Sequence, residues 1–193
     1  MSEEVLIRHC SPTLAGIKTG NMFTVAFADE TELREDLRAF NRRFAAKGLR
    51  IIPLRCKENR ALLYLYRPKK LADDLKHSEA KDILEENGYP ESPGRCVSYL
   101  RSRLMKNGEF PHEVGLFLGY PPEDVSGFIK NGAQAFKCVG CWKVYGDEAK
   151  AKCTFAKYKK VYGGLLRAVG CGKEHGTAYG SCLRYKAMKE GSR

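Results

Sequence analysis

The sequence lacks a long apolar run, a cysteine-dense segment and a linker rich in proline or serine. None of its apolar stretches approaches the ~18 residues that are needed to span a bilayer. The first ten residues, MSEEVLIRHC, are acidic and do not contain the apolar core of a secretory signal. Eight cysteines in 193 residues are too sparse for a disulfide scaffold. We therefore expect a cytoplasmic protein that has free thiols and no membrane span.

Several familiar catalytic motifs are also missing. The glycines near residue 16 are not followed by the Gly-Lys-Ser/Thr ending of a phosphate-binding loop, and those near residue 170 follow no strand. His112 and Glu113 resemble part of a zinc-protease helix, but no second histidine stands four residues later. The two residues remain candidates for an acid–base or ligand pair, with an ordinary surface or core histidine as the alternative. Whether the protein is an enzyme stays open.

Positive charge is concentrated near one end of the chain. The net charge is +11, and residues 150–193 carry eleven Lys and Arg against only two acids, Glu174 and Glu190. A basic segment of this kind attracts nucleic acid, an anionic surface or an acidic protein. The alternative is a solvated helix face with a polar tail, which solubilises the protein and binds nothing.

Residue patterns predict an α+β fold with a small, mostly antiparallel sheet in the order strand, helix, hairpin, helix. Met22–Phe27 is a short apolar strand, and the helix over Asp29–Lys47 starts with a capping box and ends at Gly48. Leu49–Arg55 and Ala61–Tyr66 form a hairpin, in which Pro53 indicates an edge strand or a bulge.

The C-terminal half is predicted to be helical. Helices are expected over residues 69–76 and 78–87, around Val97 to Leu104, after Pro111, from Pro122 and from Asp147. No repeat or linker divides the chain, so residues 1–170 form a single domain. Residues 171–193 are basic and glycine-rich, and we predict a disordered tail there.

The segment Cys138-Val-Gly-Cys141 is the most specific local feature. Two thiolates at this spacing chelate one metal ion or carry out dithiol redox chemistry. Zinc and iron are the metals that thiolates favour. Cys171 and His175 are candidates to complete the ligand set, although the gap of 29 residues is long. The alternative is a pair of small buried thiols that only pack.

The N-terminal segment from His9 to Asn21 supplies a second candidate site. Ser11 or Thr13 is expected to cap a short helix, with Pro12 in its first turn. A helix N-terminus lowers the pKa of a nearby thiol and binds anions. Cys10 is therefore the candidate for a reactive thiolate, with His9 as its neighbour and Lys18 as an anion contact; a purely structural cap is the alternative.

Four blocks of the sequence together are similar to one family: HCSPTLAGIKTGNMF, RIIPLRCKENRALLYLYRP, FPHEVGLFLGYPPEDVSGFI and KCVGCWKVYGD. The chain resembles an uncharacterised domain-of-unknown-function family of anaerobic bacteria over roughly residues 5–165. The resemblance implies an iron or redox context and favours metal or thiol chemistry. It does not extend to the segment that holds Cys171, His175 and Cys182.

Two functional hypotheses follow from the sequence. The preferred one is a metal- or redox-linked protein built on Cys138 and Cys141, with a redox protein or an anionic partner. The alternative is a non-catalytic module whose basic C-terminal helix binds nucleic acid, the less favoured partner, or an acidic protein.

Overall fold

The computed structural model describes residues 2–106 and 110–168. The elements of these residues follow one another in this order: α1 (Glu3–Leu14), β1 (Gly20–Ala26), α2 (Glu30–Phe44), β2 (Arg50–Lys57), β3 (Arg60–Tyr66), α3 (Pro68–Asp74), α4 (Ser78–Glu86), α5 (Pro93–Met105), α6 (Val114–Phe117), α7 (Pro122–Asn131), β4 (Cys138–Val139), β5 (Lys143–Val144) and α8 (Glu148–Ala168). The predicted α+β class, with its small antiparallel sheet and helical C-terminal half, is confirmed. The predictions of one domain over 1–170 and of a disordered tail extend beyond the described residues and stay predictions.

The main sheet has three antiparallel strands in the order β1-β3-β2. Strand β3 lies between β1 and β2, so the β1–α2–β2 unit is a split βαβ arrangement. Alternate residues of β3 point to opposite faces of the sheet, because side chains alternate along a strand. Leu63 and Leu65 pack in a core with α1 and α2, whereas Tyr64 and Tyr66 pack in a second core with the helices after the sheet. Helices therefore cover both faces.

Strand β2 lies at an edge of the sheet, as Pro53 predicts. The pairing register with β3 shifts between Pro53 and Arg55, so the strand also bulges there. The side chain of Asn41 on α2 pairs with the outer edge. It donates to the Ile51 carbonyl at 2.8 Å and accepts from the Ile51 amide at 2.8 Å. One peptide group of this edge is thus satisfied by a side chain.

Helix α2 has the predicted start and apolar face, and it ends at Phe44, where a short 3-10 helix over Ala45–Lys47 continues to the predicted end. The Asp29 carboxylate accepts hydrogen bonds from the amides of Thr31 and Glu32 at 2.5 and 3.2 Å. Leu33 and Leu37 are buried against the sheet, and the segment stops at Gly48, whose φ of +69° is accessible to glycine without strain.

The prediction of a short helix capped at Ser11 or Thr13 is wrong. Helix α1 begins at Glu3, where the Ser2 side chain caps it, so Ser11 and Thr13 lie inside the helix and do not cap it. The acidic first turn, Glu3 and Glu4, suits a helix N-terminus and explains the earlier start. Pro12 stands in the last turn of α1, and the helix packs against α8.

Candidate functional site

A cleft of about 460 Å³ opens among the helices of the C-terminal half. Three helices, α4, α7 and α8, begin at this cleft. The residues that line it are Asp74, His77, Ser78, Glu79, Leu116, Gly119, Tyr120, Pro121, Pro122, Glu123, Trp142, Asp147, Lys150, Ala151 and Thr154. They come from four separate stretches of the chain, so residues that are distant in the sequence meet at the cleft only in the folded protein.

Two aromatic rings form part of the cleft wall. Tyr120 and Trp142 are stacked, with ring centroids 4.8 Å apart and an angle of 27° between their planes. Phe155 of α8 packs with its edge against Trp142 at 4.6 Å. The Tyr120 hydroxyl donates to the Cys141 carbonyl at 3.4 Å. The rings are thus fixed on both sides, and Trp142 is the only tryptophan of the chain.

A buried carboxylate holds the wall in place. Asp124, in the first turn of α7, is 3% exposed and accepts from the Trp142 indole at 2.6 Å. It also accepts from the amides of Tyr145 and Gly146 at 2.7 and 2.8 Å. One side chain therefore ties the β4–β5 hairpin, and the Trp142 that it carries, to helix α7.

The N-terminal block lies directly behind this wall. The Lys18 ammonium is buried, 5.4 Å from the centroid of the Tyr120 ring and 6.0 Å from that of Tyr158. The Thr19 hydroxyl donates to Asp74. Gly119 has a φ of +73°, and a Cβ there would lie 2.5 Å from the Thr19 hydroxyl oxygen, so the close approach requires glycine. Lys18, the predicted anion contact, is placed among aromatic rings.

The rim of the cleft is acidic. Of the residues that the structure describes, four carboxylates (Asp74, Glu79, Glu123 and Asp147), the ammonium of Lys150 and the imidazole of His77 line it. Asp147 also caps α8, because its carboxylate accepts from the Lys150 amide at 2.9 Å. Glu79, Glu123 and Asp147 all stand at helix N-termini, a position where acidic side chains are commonly found. The side chains of the site thus carry a negative formal charge in a protein whose net charge is +11, although three helix N-termini add partial positive charge there.

Cys10 and His9 lie elsewhere, between α1 and the sheet. Cys10 is completely buried, whereas reactive cysteines lie in partly exposed surroundings. His9 stacks on Phe23 with ring centroids 5.4 Å apart. Burial, helped by Arg8, lowers the pKa of His9. A reactive role for this pair stays a prediction.

His112 and Glu113 point to different surroundings, because neighbours on one turn do not face each other. His112 is exposed and packs edge-on against Phe128 at 5.0 Å. Glu113 is buried, where it pairs with Arg103 at 2.9 Å and accepts from the Tyr89 hydroxyl at 2.8 Å. Burial and the Glu113 carboxylate raise the pKa of Tyr89, which therefore remains a donor. Glu113 links α5 to the segment that precedes α6.

Cys138 and Cys141 lie in the short β4–β5 hairpin. Cys138 pairs with Val144 across the hairpin and is half-buried, and Cys141 is buried in the loop between the strands. Across residues 2–106 and 110–168, no three His, Cys, Asp or Glu side chains are placed to hold one metal ion. Cys171, His175 and Cys182 fall outside the described residues. The six cysteines that are described are free thiols.

The arrangement defines an α+β protein with a split βαβ sheet and an acidic, aromatic-walled cleft in its helical half. Residues 6–175 match the family described as protein of unknown function (DUF3793), and the chain belongs to that family. The predicted membership of an uncharacterised family is thus confirmed, and its origin in anaerobic bacteria stays a prediction. No curated protein and no solved structure matches the chain. None of the helices in the described ranges has the length and apolar character that a membrane crossing requires.

Three of the four sequence blocks that carry the family resemblance surround the cleft, but no pattern in them predicted a cleft. Lys18 and Thr19 belong to the first block, Tyr120 and Glu123 to the third, and Trp142 to the fourth. One available signal was the Pro-Pro-Glu-Asp and Gly-Asp segments, which place acids at the starts of two helices. Nothing in the sequence indicates that the two helices begin at the same place.

Proposed function

We propose that the protein binds a small organic cation, of the class of aliphatic amines and diamines, in the acidic cleft. The observation that supports this most is the contrast between four rim carboxylates and a chain with net charge +11. The proposal concerns binding at one site and assigns no reaction to it.

The size of the cleft supports an organic ligand. Pockets for small molecules usually measure about 300–1,000 Å³ and combine apolar walls with a few polar groups. The cleft, at about 460 Å³, falls in this range. It is larger than a single ion needs, and its rings offer an alkyl chain an apolar surface.

The placement of the carboxylates favours a positive ligand. Glu79, Glu123 and Asp147 stand at the starts of three different helices that meet at the cleft, so a ligand with an amino group at each end has a carboxylate for both. The ammonium of Lys150 lies on the same rim and repels any ligand amino group that is placed next to it.

Titration with three matched probes tests the proposal. We expect 1,5-diaminopentane to bind, the neutral 1,5-pentanediol to bind much more weakly, and the dianion glutarate not to bind. The emission of Trp142 reports binding directly, because this only tryptophan lines the cleft. Calorimetry measures the affinity independently. Equal binding of the diol, or preferential binding of glutarate, would contradict the proposal.

A charge-neutral double variant locates the site. Glu123→Gln with Asp147→Asn removes two carboxylates and keeps the helix cap, since Asn also caps well. Exposed charge pairs contribute about 0.2–1 kcal/mol each, so the affinity for the diamine should fall about twofold to thirtyfold. The control, Glu85→Gln with Glu86→Gln, removes the same charge from exposed positions outside the cleft. An equal loss in both variants shows that binding does not occur in the cleft.

A second candidate function is metal or redox chemistry at Cys138 and Cys141. The observation in its favour is the hairpin, which turns the chain between the two cysteines. In this proposal zinc or iron has these two ligands, and Cys171 and His175 are candidates to complete the set.

Elemental analysis of anaerobically purified protein tests this second candidate. The wild-type chain and a Cys56→Ser, Cys153→Ser control, which removes two exposed thiols, should retain zinc or iron. A Cys138→Ser, Cys141→Ser variant should lose it. The same metal content in all three proteins, or none in any, would exclude a metal site at the hairpin.

A further inference from the structure

The exposed face of α8 is the most strongly basic surface among the described elements. The helix has 21 residues, and its inner side contributes the buried Ala151 and Tyr158. Its outer side carries exposed cations at Lys152, Lys157, Lys159, Lys160 and Arg167. The helix contains a single acid, Glu148, which pairs with Lys152 at 2.6 Å.

Three of these cations have no local counter-charge. In the part of the chain that the structure describes, Lys157, Lys159 and Lys160 form no ion pair. The three residues lie within a single turn of the helix, because each residue advances the helix by about 1.5 Å. Like charges this close repel each other in the free protein, and a bound polyanion would remove that repulsion.

The side chains between the lysines are small. At about 100° per residue, Ala149, Cys153 and Ala156 form a stripe along the middle of the exposed face. Lys152 and Lys159 lie on one side of this stripe, Lys157 lies on the other, and Lys160 and Arg167 continue the stripe itself toward the C-terminal end of the helix. An elongated anion can therefore lie against the helix and receive lysines from both sides.

We propose that this face of α8 binds the phosphate backbone of nucleic acid without sequence preference. The cations from Lys152 to Arg167 extend over about 22 Å of helix, which suits a linear polyanion. Protein partners usually need buried aromatic or arginine anchors at the centre of their interface. The middle of this face has no aromatic anchor, because Phe155 and Tyr158 face inward, and its one arginine, Arg167, lies at the C-terminal end of the helix. An acidic protein is therefore the less favoured partner.

Fluorescence anisotropy with labelled 20-nucleotide single strands of RNA and DNA, and with a DNA duplex, tests the proposal on the full chain. Binding should tighten as salt is lowered and should not depend on the base sequence, because phosphates carry the interaction. The variant Lys157→Gln, Lys159→Gln, Lys160→Gln should weaken binding about tenfold at low salt. It should also flatten the slope of log affinity against log salt by about two units.

The matched control is Lys69→Gln, Lys81→Gln, Lys130→Gln. These lysines are exposed on α3, α4 and α7, and their replacement lowers the net charge by the same three units. Support for the proposal is a loss in the α8 variant that clearly exceeds the loss in this control. Equal losses would show general attraction by net charge and would overturn it.

Two other outcomes also decide against a nucleic-acid surface. One is wild-type binding weaker than the ~10⁻⁴ M that is expected of non-specific contacts. The other is binding of a polyglutamate peptide but of no nucleic acid, which would assign the face to an acidic protein. The wild-type and variant proteins should have the same circular dichroism, since the substituted side chains are exposed.

Discussion

At the scale of single residues, Asp124 holds the wall of the cleft in place without lining the cleft itself. Its carboxylate accepts three hydrogen bonds from the β4–β5 segment while the side chain is buried. A carboxylate accepts at both oxygens, whereas an amide accepts at one and donates at the other. The arrangement of three donors around the side chain therefore requires Asp and disfavours Asn.

Replacing Asp124 with Asn is accordingly expected to destabilise the protein. The new NH₂ group faces a donor, which leaves a buried hydrogen bond unmade and costs about 1–3 kcal/mol. Urea unfolding measures the loss, and the Trp142 emission should shift to the red as the indole loses its acceptor and its wall loosens. Asp82→Asn on the exposed side of α4 is the control, and its effect should stay within ~0.5 kcal/mol. A stability of Asp124→Asn equal to the control would contradict the role of Asp124.

Residue type and sequence adjacency did not predict which polar side chains hold the site together. His112 and Glu113 were candidates because they are adjacent in the sequence. In the structure the His112 imidazole is exposed, whereas Glu113 is buried in an ion pair with Arg103. Asp124 was not among the candidates, because its hydrogen-bond partners Trp142, Tyr145 and Gly146 follow 18–22 residues later in the sequence. Hydrogen bonds across such separations depend on how the chain folds and leave no local pattern.

At the scale of elements, periodicity predicted those parts that are determined by their own sequence. The three strands of the sheet and helices α2, α4 and α7 lie where apolar patterns and capping residues place them. Pro53 correctly indicated the edge position of β2, because proline cannot donate within a ladder.

The elements that were missed or altered have a different physical origin. The predicted start of helix α1 was wrong because Pro12 is typical of a first helical turn, whereas the N-cap lies ten residues earlier at Ser2. The segment after Pro111 forms only the short α6, and the chain then turns at Gly119, which approaches Thr19. The β4–β5 hairpin has two residues in each strand, too few to show an alternating pattern, and it is held by Asp124 and by contacts with α8.

At the scale of the whole molecule, opposite charges are separated along a single helix. Helix α8 starts at the acidic cleft with Asp147 and exposes lysines along the rest of its outer face. The two proposals therefore place a small cation and a polyanion on different parts of one element. The asymmetry of the sequence charge predicted the basic face, but the acidic cleft assembles carboxylates from three stretches of the chain and could be recognised only in the folded chain.

The position of β3 has a consequence for the order in which the molecule opens. This strand is paired on both sides, and helices cover both of its faces. No local fluctuation can free its amides without separating α1 and α2 from the sheet or removing the C-terminal helices. We expect the amide protons of Leu63, Tyr64 and Leu65 to exchange with deuterium only through global unfolding. Those of the β4–β5 hairpin should exchange through smaller openings. Native-state hydrogen exchange at increasing urea measures the opening free energy of each amide. The β3 amides should match the free energy of unfolding, and hairpin amides that exchange more slowly than these would refute this order of opening.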